Sequence, residues 1–288
     1  MPKFKHILFP IDFSNRCHAA KPFVMSMVKR FDAKLTLLHV INMPAGWYGG
    51  IDAPYPVMFD IPAMLSAGRK KLEAFFELQL DSPVSHLVEH GDPANLITSF
   101  SQQNDVDLIV MPTHGYGKFR ILLLGSVAAK VLHDASCAIW TAAHTEDPVQ
   151  AKHIDCQSIL CAVDLDRKYA ALIRYAAELA QQYNATLRLV HAVTGAEPSS
   201  EKIRDTEFRR NLLDSSSRRI SALQQQAGTD LEVVLDGGAI STVVESAALR
   251  HSADLIVIGR GNIHETFGRL RTHAYAIIRE SPCPVLSI

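Results

Sequence analysis

The chain has no apolar run long enough to cross a membrane as a helix. It has no basic block, and its formal net charge is −1, which argues against bulk electrostatic binding to nucleic acid or an anionic membrane. Its five cysteines, Cys17, Cys137, Cys156, Cys161 and Cys283, form no CxxC pair and are odd in number, so a disulfide framework is not expected. The thirteen histidines include no HExxH, and Cys156 and Cys161 with His153 match no standard zinc spacing. No GxxxxGK[ST] occurs, and no GxGxxG follows the first apolar strand, which disfavours P-loop and dinucleotide-binding readings. The start, Met1-Pro2-Lys3-Phe4-Lys5, shows no signal-peptide pattern. These absences predict a cytoplasmic protein with neither nucleic acid nor membrane as a partner.

What the chain does contain, it contains twice. Lys5-His6-Ile7-Leu8-Phe9-Pro10-Ile11-Asp12 is echoed by Gln157-Ser158-Ile159-Leu160-Cys161-Ala162-Val163-Asp164. Leu35-Thr36-Leu37-Leu38-His39-Val40 returns as Leu187-Arg188-Leu189-Val190-His191-Ala192, and Asp107-Leu108-Ile109-Val110 as Asp254-Leu255-Ile256-Val257. Ser136-Cys137-Ala138-Ile139 is matched by Pro282-Cys283-Pro284-Val285. The spacing between matches drifts slightly, as loop variation around a retained core would produce. A duplicated domain of about 150 residues fits the usual domain size.

Each copy alternates short apolar runs with helical stretches. Strands are predicted at 5–11, 35–41, 84–89, 107–112 and 137–142, then at 158–163, 186–193, 231–235, 254–259 and 284–288. Their near-continuous apolar character suits strands buried on both faces, as in a parallel sheet. Helices are predicted at 16–31, 61–80, 93–104 and 125–134, then at 167–183, 201–226, 239–251 and 271–280. In the long one, Phe208, Leu212, Ile220 and Leu223 trace an apolar stripe. Alternating β and α without hairpin signals gives an α/β doubly wound domain, twice. The polar stretch 143–152, with Pro148, reads as the linker. Residues 43–62, with four prolines and three glycines, read as an insert.

In an open parallel sheet, ligands gather at the carboxyl ends of the strands. Asp12-Phe13-Ser14 follows the first strand, and Thr113-His114-Gly115-Tyr116-Gly117 follows the fourth. Lys118 and Arg120 come next, and Gly125-Ser126 opens a helix. Glycines let backbone N–H groups approach an anion, and a Gly-Ser helix start adds free donors, a hydroxyl and the positive end of the helix dipole. Together these residues compose a phosphate cradle. Plainer roles stand beside that one. Asp12 and Asp164 can serve as helix caps, His39 and His191 as satisfied core histidines, and Lys118 and Arg120 as solvated charges.

With these motifs in order and in duplicate, the chain resembles the universal stress protein family in its tandem-domain form. That family's ATP-binding members carry Gly-x2-Gly-x9-Gly-[Ser/Thr] after the fourth strand, matched by Gly115 and Gly125-Ser126, with Pro112 at the first position. The Gly91-Asp92-Pro93 turn and the Cys-x-Ile/Val last strand also look familial, Cys137 and Cys283 being core packing there. The resemblance implies two tandem doubly wound α/β domains, each a five-stranded parallel sheet of order 3-2-1-4-5 with helices on both faces. The domains would span 1–146, binding nucleotide, and 153–288, with a degenerate motif. It implies ATP as the cofactor, leaves Mg2+ beside it open, and makes an adenine nucleotide the partner. Asp12 would lie beside the nucleoside, and the backbone around Val40 would read the adenine edge. Gly115, Gly125, Ser126 and the N–H of Val127 would hold phosphates. Pro112 lacks an N–H, which puts the ribose-side contact in doubt.

In the second copy Asp164 and Gly259 remain, but Asn262 and Thr272-His273 replace the other motif residues. The β-branched Thr272 crowds a close backbone approach, although Arg260, Arg269 and Arg271 bring positive charge. An ATP-binding stress protein with its main site in the first half is the leading reading, with little or no hydrolysis. A scaffold without nucleotide and a slow ATP-hydrolysing enzyme are the alternatives. The last strands, 137–142 and 284–288, are expected to pair the halves as an intrachain pseudo-dimer, with a homo-oligomer left open.

Overall fold

A computed structural model describes residues 4–42, 60–75, 83–112, 124–142, 156–196, 204–260 and 269–288. Most of the predicted 43–62 insert, residues 113–123 and 261–268 and the predicted linker lie outside them.

The first repeat runs β1 (His6–Pro10), α1 (Asn15–Phe31), β2 (Lys34–Ile41), α2 (Ile61–Phe75), β3 (Val84–His90), α3 (Pro93–Gln103), β4 (Leu108–Met111), α4 (Ser126–Asp134) and β5 (Ala138–Thr141). The second runs β6 (Ser158–Ala162), α5 (Tyr169–Tyr183), β7 (Thr186–Val193), α6 (Arg204–Ala227), β8 (Glu232–Gly237), α7 (Ile240–Arg250), β9 (Leu255–Ile258), α8 (Arg269–Glu280) and β10 (Val285–Ser287). The predicted elements are all present, with ends shifted by a few residues. Residues 76–80 of the predicted second helix lie outside the described residues.

Strand order in the first repeat is β3-β2-β1-β4-β5, and the second repeats it as β8-β7-β6-β9-β10. β1 pairs parallel to both β2 and β4, and β6 to both β7 and β9. Double-sided burial explains the apolar runs: Ile7, Leu8, Phe9, Leu108 and Ile109 are fully buried, as are Ile159, Leu160, Cys161, Leu255 and Ile256. Burial pushes the Cys161 thiol well up from its ordinary range, so it stays protonated.

The same aspartate locks both sheets at the end opposite the predicted ligand edge. Asp107 Oδ2 accepts from the N–H groups of Lys5 and His6 at 2.8 and 3.0 Å. Asp254 Oδ2 accepts from Gln157 and Ser158 at 2.8 and 2.9 Å. Each carboxylate satisfies two donors at the start of a central strand, which fixes where that strand enters.

The compact units and the sequence repeats have different boundaries. One unit takes the described residues of Lys3–Lys118 and Gly125–Ala138, and the other those of Ile139–Ile288 together with Leu124. In the second unit β5 lies antiparallel to β10, with Thr141, Trp140 and Ile139 opposite Val285, Leu286 and Ser287. Trp140 is fully buried, Thr141 Oγ1 donates to the Val285 carbonyl at 3.1 Å, and Ser287 Oγ donates to that of Ile139 at 3.3 Å. The predicted pairing of residues 137–142 with 284–288 takes this form. The second unit therefore has five parallel strands and one antiparallel strand.

One sequence expectation fails here. Phe208 belongs to the helical stripe by spacing, yet it is 59% exposed. The buried positions of α6 are Ser216, Ile220, Leu223, Gln224 and Ala227, in its C-terminal half.

One buried histidine, His6, and one half-buried, His39, should make stability pH-dependent. His6 Nδ1 donates to the Asn104 carbonyl at 2.9 Å, which leaves Nε2 to accept from Thr36 Oγ1 at 2.8 Å in the neutral ring. Burial holds His6 and His39 below the ordinary histidine value of 6.5. As pH falls through 6.5 the unfolded chain takes up these protons first, so stability is full above that value and lost below it. Thermal midpoints should fall between about pH 7.5 and about pH 5.5, and His6→Gln should flatten the slope. A profile that is level, or unchanged in the variant, contradicts the assignment.

Candidate functional site

β1 has β2 on one side and β4 on the other, so the direction of winding reverses there and the carboxyl ends of these strands open a crevice. Asp12 lies two residues past β1, Val40 next to the end of β2, and the buried Pro112 directly after β4. Gly125 is the N-cap of α4, with Ser126 and Val127 in its first turn. Topology thus brings Asp12, Val40 and Pro112 to one edge of the sheet. Gly115 lies outside the described residues, as do His114, Lys118 and Arg120.

Asp12 is not a helix cap. The cap of α1 is Ser14, whose hydroxyl accepts from Cys17 N–H at 3.3 Å. Asp12 Oδ1 instead accepts from Ser14 N–H at 2.9 Å and from the Cys17 thiol at 3.0 Å. Burial, and then the Asp12 charge, pushes that thiol up to about 12, so it remains a donor that fixes the carboxylate. The turn between them places Phe13 at φ +63, a left-handed conformation that is uncommon for a bulky residue. Its ring packs 4.5 Å from the His39 ring centroid and 5.6 Å from that of Phe75, with Lys71 Nζ 4.2 Å above it. Asp164 is no cap either. It is exposed, and its Oδ1 accepts from Leu165 N–H at 2.7 Å. Sequence reasoning missed Ser14 and Cys17, although an Asp-x-Ser pair before a helix is the signature of a side chain turning back on its own backbone.

The two strand histidines do one job in both repeats. His39 Nδ1 donates to the Ile11 carbonyl at 2.8 Å, and His191 Nδ1 to that of Val163 at 2.8 Å. Those carbonyls belong to the residues just before Asp12 and Asp164. The rings replace the next rung of the ladder, whose last backbone rungs are Ile11 N–H to Leu38 at 2.8 Å and Val163 N–H to Val190 at 3.0 Å. In both repeats the ring nitrogen thus does structural work, holding the strand-end carbonyl.

That substitution has a consequence for Val40. Ile41 turns its carbonyl toward the β3 side, where it accepts from Gly91 N–H at 3.1 Å. Backbone groups alternate sides along a strand, so Val40 directs its N–H and C=O toward β1, whose pairing ends at Pro10 and Leu38. A donor and an acceptor side by side can read the edge of a planar heterocycle. Gly91 itself has φ +144, a conformation that favours glycine, and Asp92 then caps α3 through Asn95 N–H at 2.8 Å.

At α4 the helix start differs from its neighbours. Ser14 and Asp92 cover their helices, but Gly125 makes no side-chain cap bond. Its φ of −59 does not demand glycine, so what glycine contributes is the missing Cβ. The first N–H groups of α4 and the Ser126 hydroxyl thus form an anion-attracting start to the helix.

Comparison with known proteins matches both repeats to one family model, described as the universal stress protein family, over residues 3–142 and 156–288. The chain belongs to the universal stress protein family. Among its relatives, universal stress protein A homolog 1 of Coxiella burnetii is 30% identical over 142 residues, 48% of this chain and 96% of that protein. A universal stress protein of Methanocaldococcus jannaschii is 28% identical over 138 residues, 47% of this chain and 80% of its own length. The crystal structure of a universal stress protein from Archaeoglobus fulgidus superposes with a TM-score of 0.62 at 20% identity, covering 98% of this chain and 95% of that one. A functionally unknown protein from Pseudomonas aeruginosa PAO1 superposes with a TM-score of 0.66 at 17% identity, covering 99% and 92%. These two likenesses are of fold.

Proposed function

We propose that the first repeat of this universal stress protein binds ATP and that the second does not. The observation that carries the reading is the α4 start. Gly125 leaves its first N–H groups without a side-chain cap, in the repeat whose β1 and β4 flank the crevice. Gly125, Ser126 and the Val127 N–H would hold phosphates with Gly115, Asp12 would face the ribose, and Val40 would read the base. Pro112 removes one donor from this set. A cradle with no Cβ at its centre fits a polyphosphate. The second repeat keeps the histidine and the strand-end aspartate but has Thr272-His273 in place of Gly125-Ser126, and there the helix already begins at Arg269.

The assignment is binding, not turnover: Asp12 is committed to Ser14 and Cys17 rather than poised to take a proton. The pairing of β5 with β10 supports a mainly structural part for the second repeat. Titration calorimetry of the intact chain with ATP should give about one site per chain, as one cradle of two is retained. Two equivalent sites defeat the asymmetry. No heat, together with no adenine nucleotide released on denaturing the purified protein, defeats nucleotide binding and leaves the scaffold.

A further inference from the structure

The second repeat holds a cavity of about 510 Å³ at the carboxyl ends of β6, β7 and β9. That volume lies in the range of small-molecule sites. We infer that it binds a small, flat, uncharged molecule, aromatic or heteroaromatic and bearing a hydroxyl or amide, rather than a phosphorylated one.

Four features of the lining carry this. First, the walls are mostly apolar, with Val190, Leu212, Val244, Ile258 and Ile277 contributing from strands and helices on every side. Second, Tyr169 lines the cavity, at the position relative to Asp164 that Cys17 holds relative to Asp12. It offers an aromatic surface where the first repeat has a thiol. Third, Ala192 stands where Val40 does. The Val163 carbonyl is taken by His191, so the Ala192 N–H and C=O turn toward the side that β6 leaves and offer a donor and an acceptor to a planar edge. Fourth, α6 breaks its apolar stripe here. Ser216 is buried at a position where the helical repeat calls for an apolar residue, and Ser215 joins it in the lining. Ser216 in place of a branched side chain leaves room, and the two hydroxyls supply polar contacts.

Charge decides against phosphate. Asp164 and Arg219 both line the cavity, so the walls carry one charge of each sign. Arg219 is already donating to the Leu165 carbonyl at 3.0 Å, and His273 occupies the place of the first repeat's serine. A polyphosphate would meet no excess of positive charge in the lining, and its one arginine is already engaged.

The test is titration of the full chain with naphthol, followed by protein-detected NMR, with and without saturating ATP. One naphthol site per chain is expected, undisturbed by ATP and by Gly125→Val with Ser126→Ala. Ser216→Leu fills the cavity and should weaken naphthol at least about tenfold while leaving ATP binding unchanged. Should that variant fail to fold, Ser215→Phe at the exposed rim closes the mouth without burdening the core. Displacement of naphthol by ATP, no binding at all, or unchanged affinity in a folded blocked variant overturns the inference. None of these outcomes bears on whether the first repeat binds ATP, which its own titration decides.

Discussion

Gly125→Val with Ser126→Ala should weaken ATP binding by about a hundredfold, ~2.7 kcal/mol, while the protein keeps its circular dichroism and nearly all its thermal stability. The valine sets a branched Cβ over the first N–H groups of α4, where a phosphate oxygen has to approach. The alanine removes the one hydroxyl in that turn. The fold has little to lose. Gly125 sits at φ −59 and ψ 145, an extended conformation valine adopts readily, and it makes no side-chain cap bond. Alanine is the best helix former for the Ser126 position. Calorimetry on both proteins separates binding from folding. Equal affinity in a folded variant would mean that the phosphates sit elsewhere.

Separating the chain at residue 148 should make the second repeat self-associating. Residues 149–288 retain β10 but lose β5, exposing the backbone edge at Val285, Leu286 and Ser287, each at most 1% exposed in the intact protein. Such an edge is a template for pairing with another copy. Trp140 leaves with the other fragment and loses its burial, a cost of about 3–5 kcal/mol by comparison with large-to-small core changes. Light scattering should find dimers or larger assemblies of the 149–288 fragment, and addition of the 1–148 fragment should reduce them. Two fragments that stay monomeric at high concentration and ignore each other would show that the β5–β10 pairing is dispensable.

Much of the fold was legible because strands buried on both faces write themselves as unbroken apolar runs. Leu108-Ile109-Val110-Met111 needs no partner to be recognised. The duplication supplied a second reading of the same pattern. What could not be read was non-local. Thr141 bonds a residue 144 positions away, and nothing around Thr141 announces that its partner is Val285 and not a strand of its own repeat. Phe208 shows a different limit: periodicity assigns a face of α6, but not how far the sheet beneath that face extends. Of the candidate site, the start of α4 at Gly125-Ser126 was legible to within a residue, because glycine and serine mark a helix start locally. At Asp12 the plainer alternative, a helix cap, falls away because Ser14 takes that role two residues later. The 510 Å³ cavity left only a faint trace, a serine pair in an amphipathic helix, which reads as neutral until the distance between helix and sheet is known.

The shared histidine contact bears on how such a protein can diversify. His39 and His191 each grip the last carbonyl before the strand-end aspartate, by a bond of 2.8 Å in both repeats. The sequences past the fourth strand have since parted company, glycine and serine in one copy, threonine and histidine in the other. A grip that stays while the neighbouring sequence changes belongs to the chassis, not to the cargo. On the proposed reading each copy can therefore change its ligand by changing the sequence past its fourth strand, without having to rediscover how to fold.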